Sequence, residues 1–298
     1  MMSLRIYKVA GHLFEIKMHD DSSIWPMMEE SYGPFEVNDA CSEYLFRVEV
    51  CDVVDCNGVE HIYSNKDTVE PGFITMDVFR SDSGYFFQFI QPGSKQINAS
   101  LYISNNYKDA KLSLSGTNIL QWFSFNTAVN FCYLMACSCK DTVLAHASCV
   151  TYKGKAWLFL GKSGTGKSTH SRMWLNALEN VVLMNDDHPV VRIDNDGRPI
   201  AYGSPWSGKT RCYKNMQAPV GGVIRIVRAP YNKARRLSPI QSYASLMTSF
   251  SGLTWEKNLA DGRDKTIQGI IASVPCWAME CLPNEDAARV CSQTVTQV

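Results

Sequence analysis

Gly161-Lys162-Ser163-Gly164-Thr165-Gly166-Lys167-Ser168 sets glycine, lysine and serine at the spacing GxxxxGK[ST], and Thr169 follows. The chemistry served by this spacing is the capture of phosphate. Glycines let consecutive backbone N–H groups turn inward, and a helix starting behind them directs about half a positive charge at the anion. In that reading Gly161, Lys162, Ser163, Gly164, Thr165, Gly166, Lys167, Ser168 and Thr169 surround the phosphates of ATP. Lys167 reaches the terminal phosphates, and the Ser168 hydroxyl ligates Mg2+. The bland alternative is a glycine-rich turn that binds nothing. Against it, Ala156-Trp157-Leu158-Phe159-Leu160 leads in as a strand, and Met173, Trp174, Ala177 and Leu178 lead out as a helix.

Carboxylates arrive on the next apolar run. Val181-Val182-Leu183-Met184 ends in Asn185-Asp186-Asp187. Two acids beside a phosphate loop can divide two tasks, one holding a metal ion and one accepting a proton from an attacking hydroxyl. Turn geometry brings an imidazole to the same place. If Lys153-Gly154 is a two-residue hairpin turn, Tyr152 faces Lys155 and His146 falls across from Gly161. There it can orient a catalytic carboxylate or contact the transferred group.

The same argument at Asp196-Gly197 sets Trp206 level with Asp187. The stretch Ser204-Pro205-Trp206-Ser207-Gly208-Lys209-Thr210-Arg211 then leaves the sheet beside the acids, which makes Lys209 and Arg211 candidate clamps for an anionic group. Solvated loop charges are the alternative. Arg225, Arg228, Arg235 and Arg236 read as a solvated face, and His170 and His188 as bystanders.

The elements that must hold these residues follow from periodicity. Residues 1–115 read as strands, among them Leu13 to Met18, Tyr44 to Val50, Phe73 to Phe79 and Tyr85 to Ile90, separated by Asn57-Gly58 and Asp82-Ser83-Gly84. That half carries no chemical motif, and its aromatic residues read as core. Asn118 to Cys139 spaces Leu120, Phe123, Thr127, Phe131 and Leu134 as a helix does. Beyond about residue 140, strands and helices alternate. Expected strands are Ala147 to Tyr152, Lys155 to Leu160, Val181 to Asn185, Val190 to Ile193, Pro199 to Tyr202, Val223 to Arg228 and Cys276 to Leu282. Expected helices run from Lys167 to Leu178, from Ser238-Pro239 to about Phe250, and after Asn284.

Composition narrows the partners. Among 298 residues, 45% are hydrophobic and 19% charged, and Lys plus Arg equals Asp plus Glu at 29 each. A chain with no net field is poorly suited to nucleic acid or an anionic membrane. The apolar-leaning Ile119 to Ala136 is interrupted by Gln121, Ser124, Asn126, Thr127 and Asn130, as in a buried helix rather than a membrane span. Eleven cysteines with no secretory signal point to reduced thiols in a cytoplasm. The expected partners are a nucleotide and a hydroxyl-bearing substrate, and self-association into a homo-oligomer stays open.

Leu144-Ala145-His146-Ala147, the loop from Gly161 to Thr169, and Met184-Asn185-Asp186-Asp187 together resemble the HPr kinase/phosphorylase superfamily, which shares its nucleotide core with phosphoenolpyruvate carboxykinases. Ser204 to Lys209 resembles its more distant serine-kinase-like members. The resemblance covers about residues 140–230 and leaves out the N-terminal half. It implies an α/β P-loop domain of the HPr kinase/phosphoenolpyruvate carboxykinase type with a mixed sheet over residues 116–298; the mostly β domain expected before it, over residues 1–115, rests on the strand pattern alone. It also implies metal binding by Ser168 and Asp187, with Asp186 as the base and His146 supporting it. The implied activity is Mg2+-dependent transfer of the γ-phosphate of ATP to a serine-type hydroxyl, on a small molecule or a peptide. Decarboxylation of oxaloacetate with ATP, as in a carboxykinase, and non-catalytic ATP-dependent recognition are the alternatives.

Overall fold

Strand alternation builds the first half of the chain. The computed structural model describes residues 1–38, 43–67, 69 and 72–297. In chain order the first elements are β1 (Met2–Val9), β2 (His12–His19), α1 (Ile24–Tyr32), β3 (Phe46–Val50), β4 (Glu60–Ser64), β5 (Thr75–Arg80), β6 (Gly84–Ile90), β7 (Ala99–Ser104), β8 (Asp109–Leu114) and α2 (Asn118–Cys137). The eight strands form one mixed sheet in the order β1-β2-β3-β8-β7-β6-β5-β4. Its inward residues are largely aromatic: Phe14, Phe46, Phe87 and Phe89 are buried, and Tyr133 of α2 meets Phe14 and Phe46 edge-on. Edge-to-face packing of this kind adds to the burial of large rings.

Chain contacts divide the molecule into Met1–Cys137 and Ser138–Val298. The boundary expected near residue 115 is therefore displaced. Helix α2 packs on β3, β7 and β8, so the sheet that covers its apolar side claims it for the first unit. No helix among the described residues is long and apolar enough to cross a membrane.

The second unit contains β9 (Thr142–Leu144), β10 (Ala147–Tyr152), β11 (Lys155–Leu160), α3 (Lys167–Ala177), β12 (Val182–Asp187), β13 (Val190–Ile193), β14 (Pro199–Tyr202), β15 (Gln217–Arg228), β16 (Lys233–Arg236), α4 (Pro239–Met247), α5 (Lys257–Ser273), β17 (Cys276–Cys281) and α6 (Glu285–Val295). Nine strands make a mixed sheet along β12-β10-β11-β15-β14-β13-β9, with β17 also on β15 and β16 on β17. One face carries Trp157, Phe159 and Ile224 under α6 and α3, and α3 contributes Trp174 to the same core. The other carries Leu158, Leu160, Met184 and Val223 together with Phe250 and Ile267.

The Lys153-Gly154 turn has positive φ at both residues, as the tightest hairpins require. It pairs Tyr152 with Lys155 and Ala147 with Leu160, the expected register. The second hairpin differs by one residue. Val190 pairs with Tyr202 rather than Gly203, because the loop holds three residues instead of two. Asp194 Oδ1 accepts from the Asp196 and Arg198 N–H groups and so closes a wider tip, with Gly197 at φ 78. Trp206 is not level with Asp187 either: the hairpin shift would bring Pro205 there, but the isolated bridge forms between Asp187 and Ser207.

Candidate functional site

The loop, the acids and His146 converge on one edge of the second sheet. Ala147, Leu160 and Asp187 lie in one row across β10, β11 and β12, so the end of β11 that feeds the loop is also where β12 delivers its carboxylates. Gly161, Gly164 and Gly166 have φ of 154°, 74° and 112°, conformations that a side chain would strain. Gly166 stands immediately before α3. Lys162, Ser163, Gly164 and Thr169 are exposed, and Thr165 donates its hydroxyl back to the Lys162 carbonyl at 2.7 Å.

Lys167 is 9% exposed. Its ammonium lies 3.0 Å from the Gly161 carbonyl, to which it donates, and 3.1 Å from His146 Nε2. Burial lowers its pKa, with Asp187 and Asp186 opposing the shift. His146 Nε2 is also 3.3 Å from Asp187 Oδ1. Burial, and secondarily the Lys167 charge, push the imidazole below its ordinary value and hold it neutral at pH 7. The other Asp187 oxygen lies 3.2 Å from His188 Nδ1. Burial alone would raise the Asp187 pKa. The His188 hydrogen bond and the surrounding positive groups outweigh it, and the net shift is downward.

The two neighbouring acids have different surroundings. A β-bulge at Cys149 and Val150 resets the pairing of β10 with β12, so that Ser148 stands opposite Asp186 and Ala147 opposite Asp187. Cross-strand partners share a face. The Ser148 hydroxyl meets Ser171 of α3 at 2.6 Å, which puts Asp186 on the α3 side, where Ser168 lies one turn before Ser171. Asp186 is 5% exposed, yet its carboxylate has no hydrogen-bond or ion-pair partner among the described residues. Asp187, by contrast, sits between two imidazoles and has φ 136, a backbone state that side chains rarely adopt and that concentrates at functional positions.

Sequence reasoning missed what holds this arrangement. Asn185 is buried and donates its amide to the Ser204 and Trp206 carbonyls, while its Oδ1 accepts from the His188 N–H. Ser204 Oγ donates to the His188 carbonyl at 2.6 Å. The Ser204–Gly208 stretch is thus a brace around the acid-bearing turn. Gly208 donates its N–H to the Asp186 carbonyl at 2.7 Å, and a Cβ added there would lie 3.1 Å from Asp187 Cβ. His188, read as a bystander, contacts Asp187. Lys209 and Arg211 are exposed beyond Gly208, and Lys209 forms no ion pair among the described residues. The structure also puts a cavity of about 620 Å3 against Gly164, Gly166 and Thr169, which no sequence signal announced.

Residues fit for a hard cation are present. The Ser168 hydroxyl is partly exposed and has no hydrogen-bond partner among the described residues, and Asp186 is an uncommitted carboxylate. Among the described residues no group of three or more His, Cys, Asp or Glu side chains could hold a metal alone. Magnesium suits such a sparse site, because it keeps waters and takes substrate phosphate oxygens.

No family model and no curated protein matches the chain. Among solved structures, it is similar to the HPr(Ser) kinase/phosphatase from Coxiella burnetii with a TM-score of 0.31 and 14% identity, over 52% of this chain and 94% of that one. That is a weak and distant likeness; the site's own geometry is the firmer ground for function.

Proposed function

We propose that the second unit is a kinase that transfers the γ-phosphoryl group of a nucleoside triphosphate, ATP in the first instance, to a hydroxyl acceptor. The observation that carries this reading is the chain of contacts from Lys167 through His146 to Asp187, at 3.1 and 3.3 Å, beside a glycine-rich helix start and a free carboxylate. A loop that only turned the chain would have no use for a buried lysine, a neutral imidazole and two unlike carboxylates at its mouth.

In this reading the backbone N–H groups of Gly161 to Ser168 and the Lys167 ammonium hold the phosphates. Ser168 and Asp186 would hold Mg2+, which when bound offsets charge on the phosphate oxygens. Asp187 takes the proton of the acceptor hydroxyl as its oxygen bonds to the γ-phosphorus and the bond to the nucleoside diphosphate breaks. His146 and His188 orient that carboxylate and keep it ionised. The division between the acids is the reverse of the one implied by family resemblance. The support for the reversal is that Asp187 contacts His146, whereas Asp186 faces α3 uncommitted.

The test is incubation with labelled ATP, Mg2+ and a panel of hydroxyl metabolites and peptides. Label on a hydroxyl, lost in Lys167→Ala, is the expected outcome. Phosphoenolpyruvate formed from oxaloacetate would replace the acceptor class with that of a carboxykinase. Binding without any transfer would make the unit a recognition module.

A further inference from the structure

We infer that the acceptor is an anionic hydroxyl compound, with a carboxylate or phosphate within a few bonds of the reacting hydroxyl, and that Lys209 anchors this anionic group; this deepens the kinase reading and rests on Asp187 as the base. Lys209 stands at the crest of a pinned turn. Gly208 donates its N–H to the Asp186 carbonyl at 2.7 Å, and Ser207 bridges to Asp187. The Ser207 hydroxyl donates to the Thr210 carbonyl at 2.6 Å and closes the turn around Gly208 and Lys209. Two residues further on, the Cys212 thiol donates to the Met184 carbonyl at 3.4 Å and holds the outgoing chain against β12. A loose loop would let a lysine wander; this turn fixes where its stem begins.

The stem begins close to the chemistry. A Cβ built on Gly208 would lie 3.2 Å from Asp187 Oδ2, and the next Cα is about 3.8 Å further along the chain. A flexible four-carbon stem starting there spans the distance between a hydroxyl held at Asp187 and an anionic group a few bonds away.

The charge of Lys209 is also unspent. Both Asp187 oxygens are taken, one by His146 at 3.3 Å and one by His188 at 3.2 Å. The groups that hold Asp187 ionised are His188, His146 and Lys167. Lys209 is exposed and forms no ion pair among the described residues, and Arg211, exposed two residues on, adds to the positive rim. A site walled by Asp186 and Asp187 repels an anion, whereas a neutral acceptor would need no cation at its rim. For an anionic acceptor the ammonium offsets that repulsion and draws the compound in. By fixing the far end, it presents the hydroxyl to Asp187.

Label transfer from ATP with Mg2+ to glycerate, glycerol 3-phosphate and glycerol tests this, alongside serine peptides with neutral or acidic flanks. The expected result is that an anionic acceptor has a kcat/KM about tenfold or more above its neutral counterpart. Glycerate in the lead marks a carboxylate, glycerol 3-phosphate a phosphate. Lys209→Ala should raise KM for that acceptor about tenfold, with KM for ATP changed less than about twofold. Lys209→Glu should raise it further, and Lys209→Arg should restore most of the loss. Raising salt from about 50 to 200 mM should weaken acceptor binding in the parent chain and barely in Lys209→Ala. Lys209 is exposed, and a melting curve checks that each variant folds. Neutral acceptors labelled as well as anionic ones overturn the acceptor class. A Lys209→Ala variant that loses ATP affinity, or loses nothing, overturns the anchor. If the parent chain labels no hydroxyl at all, the kinase reading itself fails and the anchor fails with it.

Discussion

The two units treat a buried carboxylate in opposite ways. In the first sheet Glu15, 7% exposed, is answered by Arg47 from the neighbouring strand, and Asp77 by Lys66 and His61. At the edge of the second sheet Asp186, 5% exposed, has no hydrogen-bond or ion-pair partner among the described residues and feels the Lys167 ammonium only at longer range. Burying charge costs several kcal/mol unless a partner offsets it. A carboxylate whose partner lies in the chain is part of the architecture; one without is shaped for something the chain does not contain. The contrast is the ground for proposing chemistry in the second unit, and it explains why the first, with its aromatic core and matched charges, offered no motif to read.

The contrast can be broken most decisively at Asp187. Asp187→Asn should lower turnover by about a hundred- to ten-thousandfold with nucleotide affinity about unchanged; full turnover would remove it from the role of base. Next is His170, fully buried on the inner face of α3, where its Nε2 accepts from Trp174. Burial pushes its imidazole down to about 4, against about 6.5 when unfolded. As pH falls between those values the unfolded chain takes up a proton that the folded chain refuses, so stability declines. The loss amounts to about 3 kcal/mol by pH 4. Denaturant titrations from pH 7 to 4 should show it, and His170→Gln should flatten the slope.

A direct comparison of the two carboxylates comes third. Glu15→Gln should destabilise by about 1–3 kcal/mol, because Arg47 loses its acceptor. Asp186→Asn should change stability by less than about 1 kcal/mol, or raise it, since no hydrogen bond or close ion pair is abandoned. Equal losses in urea melts would show that Asp186 has a structural counter-charge after all. The smallest effect belongs to Gly208→Ala, whose new methyl would press on Asp187. A shift of a few tenths of an ångström should cost turnover about three- to tenfold and leave the melting curve nearly in place.

Much of the second unit was legible because its signals are local. The phosphate-loop spacing, the Lys153-Gly154 turn and the Ser238 cap each act within a few residues, and β10, β11, β13 and β14 occupy the expected spans. Helix α5 was not legible. Gly262 and Gly269 interrupt its propensity, and its apolar residues Leu259, Ile267 and Ile270 read as a helix face only once there is a sheet to pack on. Helix α1 is short and carries Pro26 in its first turn. The one-residue shift of the β13–β14 hairpin arose from a side chain, Asp194, doing the work of a backbone turn. Most consequential was the bulge at Cys149 and Val150. No residue type announces it, yet it determines which acid faces α3 and which meets the histidines.

The brace around Asn185 has one last consequence. Since Asn185 and Ser204 clamp the base of the β13–β14 hairpin through side-chain bonds, the distal tip at Asp196-Gly197 carries none of the load of keeping the acids in place. That tip is exposed and is therefore the natural point at which to nick the chain. A chain cut there should keep Asp186 and Asp187 aligned.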